Sequence, residues 1–190
     1  MPFFTFSEIF DMMAMTLIVG YIFSGIFRKP VPEDYDPLKH FKAGFDFNDL
    51  RFAALVTAPA IILHELGHKF AALGFGLEAQ FQAAYFFLAL GLILKLMNFP
   101  FIFFVPAYVS IFGQATALEF SLVAFAGPAV NLILWLGSLF IIKQKLFPKK
   151  YDAALFLTSR INMFLFIFNM LPIPGFDGSK VFMGLVQAFF

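Results

Sequence analysis

Apolar blocks separated by short polar breaks set the plan of this chain. A hydrocarbon layer about 30 Å thick is crossed by roughly 20 residues of helix. The first block, 9–27, predicts such a helix, with Ser7 as N-cap and Glu8 and Asp11 in its first turn. It lacks a basic leader and a small-residue cleavage site, so it reads as a retained anchor rather than a signal peptide. The stretch 28–51 follows, with Pro30, Pro32, Pro37 and mixed charges, and predicts a surface loop. A second helix is expected over 52–73, ended by Gly74 and Gly76. An apolar piece, 83–97, breaks at Asn98 and Pro100. The next, 101–113, is aromatic and β-branched with Pro106 inside it, which suits an extended re-entrant segment better than a helix. Irregular backbone at membrane depth has to be packed against protein or line a wet cavity. Further helices are expected over 118–142 and 153–170, joined by the basic loop 143–150. The run 171–178 (LPIPGFDG) cannot be helical throughout, and a last helix starts near Ser179.

Composition fixes the class. Of 190 residues, 61% are hydrophobic and only 13% charged, with a mean hydropathy of +0.87. That leaves too little polar surface to coat a water-facing globule. The expected fold is therefore an all-α integral membrane bundle of about five to six transmembrane helices, with a re-entrant, β-like segment near 101–113. One domain is expected over 1–190, with its core at 52–180 and an N-terminal anchor helix and surface loop at 1–51. The bilayer is its first partner, as a multi-pass protein of the cell membrane. A net charge of +1 without a basic, aromatic-interleaved stripe speaks against nucleic acid. Cysteine is absent, so disulfides, thiol catalysis and thiolate metal sites fall away together, and any metal must be held by His, Asp or Glu.

The chemistry concentrates at His64-Glu65-Leu66-Gly67-His68, an HExxH motif on the second helix. A spacing of four sets both imidazoles on one helical face, one turn apart, where they can grip one zinc ion. Glu65, beside that face, can act as general base. The alternative, a buried His–Glu hydrogen-bond cluster, is weakened by depth: ionisable groups in the bilayer cost about 3 kcal/mol each, and a cation compensates them. Catalytic zinc usually takes a third protein ligand. Glu119 starts a helix, where the N-terminal dipole already accounts for an acid. Asp177 stands in a segment that two prolines keep out of helical form, between Gly175 and Gly178. Its competing role is an Asx turn or N-cap before Ser179. His68 and Asp177 can share a metal only if the chain makes an even number of crossings between 73 and 118.

HELGH, then AGPAVN at 126–131 preceded by Glu119, then FNMLPIPGFDG at 168–178, occur in the order found in one family. Together they resemble the site-2 proteases, intramembrane zinc metalloproteases, over about residues 52–180. The resemblance implies one Zn2+ held by His64, His68 and Asp177, with Glu65 as catalytic base. It implies Asn169 near the cleft, as a catalytic and substrate-binding group, and Asn131 as a second intramembrane polar position at the substrate. Read from the residues alone, Asn131 is equally an interhelical hydrogen bonder. The implied reaction is hydrolysis of peptide bonds in or near transmembrane segments of membrane-protein substrates. The oligomeric state is open.

Two rivals stand beside this reading. One is another membrane HExxH protease with Glu119 as third ligand; the other is a non-catalytic zinc-binding membrane protein or transporter. A transporter would spread polar residues along a pathway, whereas here they gather at one depth. Orientation divides the indications: the basic residues of 28–51 and 143–150 share one side, which the positive-inside rule makes cytoplasmic. The metal would then lie toward the other face, while the resemblance implies a site nearer the cytosol.

Overall fold

A computed structural model describes residues 3–28, 46–99 and 105–190. The first helix, α1 (Phe6–Phe23), is opened by Thr5 rather than Ser7. Thr5 and Glu8 form a reciprocal capping box, which satisfies two of the orphan N–H groups of the first turn. The helix α2 (Phe47–Gly74) begins five residues before the expected start, capped by Asp46, so 47–51 are helical rather than loop. The rest of that expected loop, 29–45, lies outside the described residues.

The chain leaves α2 into a strand the apolar blocks did not announce, β1 (Glu78–Ala83). A short helix α3 (Tyr85–Leu96) follows, then β2 (Ala107–Phe112), which pairs antiparallel with β1 in the register Phe81 to Val109. The extended segment expected near 101–113 is thus realised over 107–112, with 100–104 outside the described residues. At 1.5 Å per residue α3 is about 18 Å long, too short to cross a bilayer.

The helices α4 (Ala117–Gln144), α5 (Asp152–Asn169) and α6 (Asp177–Phe189) complete the chain. A second capping box, Thr116 with Glu119, starts α4. Six α-helices are therefore present among the described residues. Four stretches are long and apolar enough to cross a membrane: Phe6–Phe23, Phe47–Gly74, Ala117–Gln144 and Lys149–Asn169. This is a helical membrane protein with a small two-stranded sheet. Its outward faces carry large apolar side chains such as Phe10, Leu55, Ile133 and Phe140, as a lipid-facing surface requires.

The sheet is held from behind by α1. Phe81 N–H donates to Glu8 Oε1 at 2.8 Å and Ala83 N–H to Asp11 Oδ2 at 3.2 Å. These alternate amides point away from β2, so the outer edge of β1 is closed by two acids one turn apart on α1. Met15 and Val19 pack with Phe81, Ala83, Leu88 and Ala107 into a buried cluster that fixes the sheet against α1 and α3.

Candidate metal centre

α2 and α4 pack antiparallel, with His68 against Val123 and His64 beside Asn131. The chain therefore leaves α2 and re-enters at α4 on the same end of the bundle, which meets the crossing condition read from the sequence. The close approach depends on Gly127: a β-carbon there would overlap both imidazole rings. On the other side, Gly178 lies against the Met170 carbonyl, where a β-carbon would also collide. That contact folds the start of α6 back on the end of α5 and brings Asp177 to the histidines. Phe176 is the N-cap of α6 and makes no side-chain cap bond. The Asp177 carboxylate is turned to the histidines instead of capping its own helix.

Three ligand atoms converge. His64 Nε2 and His68 Nε2 are 3.1 Å apart, and Asp177 Oδ2 is 3.1 Å from the first and 3.2 Å from the second. Each imidazole is oriented through its other nitrogen: His64 Nδ1–H donates to Asn131 Oδ1 at 2.5 Å, and His68 Nδ1–H to the Val123 carbonyl at 2.8 Å. With both Nδ1 atoms protonated, both Nε2 atoms turn lone pairs toward one another and toward a carboxylate oxygen. Three acceptors facing one point repel unless a metal ion or a proton lies among them. Ligands at 2.0–2.1 Å in tetrahedral array stand about 3.3 Å apart, close to the edges of this triangle. The set fits one Zn2+. His64 and His68 are buried, and the Asp177 side chain is 13% exposed.

The triangle opens into a cavity of about 830 Å3, lined among others by Glu65, Ala107, Val109, Asn169 and Lys180. Glu65 and Asn169 thus share the space beside the three ligands. Asn131, implied by the resemblance as a substrate-binding position, lies elsewhere. It is fully buried behind His64, and its amide nitrogen donates to the Ala60 carbonyl at 3.1 Å and to Asn162 Oδ1 at 2.8 Å. Its polar atoms are committed to orienting the ring and bridging helices, so none faces the cavity. Glu119 is not a ligand either. Its carboxylate accepts from the Thr116 N–H and hydroxyl, each at 2.8 Å, which places it in the cap of α4 and apart from the group of His64, His68 and Asp177.

Two site features escaped the sequence reading. Asn162, fully buried on α5, completes the Asn131 network; an amide in the middle of a helix of membrane-spanning length was the available signal. Lys180 Nζ stands 3.7 Å from Asp177 Oδ1, one turn along α6.

A protein of Methanocaldococcus jannaschii named "Putative zinc metalloprotease" is 34% identical over 187 residues, covering 95% of this chain and 87% of its own length. This chain belongs to that zinc metalloprotease family. A second relative, of the same printed description from Synechocystis, is 33% identical over 133 residues, 70% of this chain and 31% of that protein. No protein-family model matches the chain, and no solved structure does. The printed name calls for zinc, and among the described residues His64, His68 and Asp177, two histidines one helical turn apart and a carboxylate, form a group able to hold it.

Proposed function

We propose that this chain is an intramembrane zinc metalloprotease of the site-2 type, a multi-pass protein of the cell membrane. It hydrolyses peptide bonds in or near transmembrane segments of membrane-protein substrates. The observation that carries the reading is the convergence of His64, His68 and Asp177 beside Glu65 on a cavity inside an apolar bundle. His68 and His64 lie six and ten residues before the end of α2, about 9–15 Å in from its terminus. That depth is within the hydrocarbon for a helix that spans it.

Zinc, when bound by His64, His68 and Asp177, supplies Lewis-acid polarisation of a carbonyl and brings the pKa of a water toward about 7. Glu65 takes the proton of the attacking water and delivers it to the leaving amine. Asn169 donates a hydrogen bond where negative charge develops on the carbonyl oxygen. A helical substrate has to unwind before its peptide bond can be approached. The sheet supports a way to hold the unwound segment. With Phe81 N–H directed to Glu8, the facing Val109 belongs to a non-hydrogen-bonded pair, as do Ala107 and Ile111. Their amides and carbonyls point from the edge of β2 that pairs with no other described strand, and all three residues line the cavity. An extended substrate can add there as a further strand.

The test is cleavage of a single-span test substrate by the purified protein in proteoliposomes. Glu65→Ala should retain zinc and lose proteolysis. Full activity in that variant contradicts the general-base role.

A further inference from the structure

The metal centre draws on a helix that supplies none of its ligands. Asn162, in the middle of α5, is fully buried, and the reaction outlined above makes no use of it. Its amide nitrogen donates to the Thr158 carbonyl of its own helix at 2.8 Å, which fixes the oxygen on the opposite side, toward α4. That oxygen accepts from Asn131 Nδ2 at 2.8 Å, and the same nitrogen donates to the Ala60 carbonyl of α2 at 3.1 Å. Two acceptors on the nitrogen leave Asn131 a single amide orientation, with Oδ1 against His64 Nδ1 at 2.5 Å. A flipped amide would set its nitrogen against the His64 N–H and its oxygen against two other oxygens. The flipped arrangement is therefore closed off, and His64 is held with Nδ1 protonated and the Nε2 lone pair turned toward Asp177 and His68.

We propose that Asn162 is a positioning residue for the metal. Through Asn131 it sets the tautomer and ring orientation of His64, so that α5 tunes zinc affinity without touching the ion. The inference rests on the reading of His64, His68 and Asp177 as the ligand set, and not on the hydrolytic reaction. Outer partners of ligating histidines commonly govern metal affinity by about 10- to 100-fold. A direct packing role for Asn162 predicts a different pattern, in which fold stability falls and the metal site is untouched.

The experiment compares wild type, Asn162→Leu, Asn131→Ala and the double variant, each purified in detergent. Zn2+ affinity is read by chelator competition and the site by the visible bands of the Co2+-loaded protein. Asn162→Leu should weaken Zn2+ binding by about 10- to 100-fold and shift the Co2+ bands, with helicity and melting close to wild type. Because both residues act through one hydrogen bond to His64, the double variant should bind no worse than Asn131→Ala alone. If Asn162→Leu does not fold, Asn162→Ala is measured in its place. Unchanged affinity and Co2+ bands in the Asn162 variant overturn the proposal, as does a double variant whose loss is the product of the single losses. A wild-type protein that takes up no Co2+ overturns the ligand assignment itself, and the relay falls with it.

Discussion

Glu8 on α1 and Lys69 on α2 form a buried ion pair, 1% and 2% exposed, one residue along from His68. Glu8 is filled on both sides: Oε1 accepts from Lys69 and from Phe81 N–H, and Oε2 from the Thr5 N–H and hydroxyl. One carboxylate thus ties the first helix, the HExxH helix and the sheet together. Removing one partner of a buried pair leaves an uncompensated charge and costs about 3–5 kcal/mol, whereas removing both charges costs far less. Glu8→Ala and Lys69→Met should each lower the melting temperature in detergent sharply. Glu8→Gln combined with Lys69→Met should recover part of the loss, because the amide oxygen still accepts from Phe81 while the amide nitrogen cannot accept from Thr5 N–H. A double variant as unstable as either single one would contradict this account of the pair.

Gly127 is the contact through which α4 meets both histidines. A methyl group there would occupy the space of the two rings, so Gly127→Ala must displace them or part the helices. Zinc affinity is expected to fall at least tenfold, by the sensitivity of such sites to ligand orientation. Chelator competition measures it. A Gly127→Ala protein with native affinity would show that the rings have more room than this packing gives.

The edge of β2 turned away from β1 offers a third test. Val109→Pro removes one outward amide and leaves the ladder to β1, whose bonds come from Tyr108 and Ser110. A lost substrate hydrogen bond is worth about 1 kcal/mol, so KM should rise roughly five- to tenfold with zinc content unchanged. Steady-state cleavage of a single-span substrate reads it, and an unaltered KM would rule out strand addition at this edge.

Residues close in sequence, or bound to one face by spacing, were legible from the chain. The apolar blocks announced the helices, and HExxH announced two imidazoles on one face. Asp177 stood out as the acid just past two prolines, although it opens α6 itself, two residues before the expected start at Ser179. Even β1 carried a signal: Glu78, Gln80 and Gln82 alternate with Ala79, Phe81 and Ala83. That alternation was short and lay between a helix end and an apolar block. What stayed hidden were partners brought together only by packing. Glu8 satisfied the rule for an acid in a first turn, which masked its bonds to Lys69 and Phe81. Asn131 satisfied a family position, yet its partner Asn162 is 31 residues away on another helix. Thr5 displaced Ser7 as cap because a reciprocal bond with Glu8 satisfies two donors where Ser7 had no such partner.

Elemental analysis of purified wild type, Asp177→Asn and Glu119→Gln tests the central claim most directly. About one zinc per chain is expected in wild type and in Glu119→Gln, whose carboxylate only caps a helix, and little in Asp177→Asn. Wild type without zinc, or Asp177→Asn with a full ion while Glu119→Gln loses it, would contradict the metal centre described here.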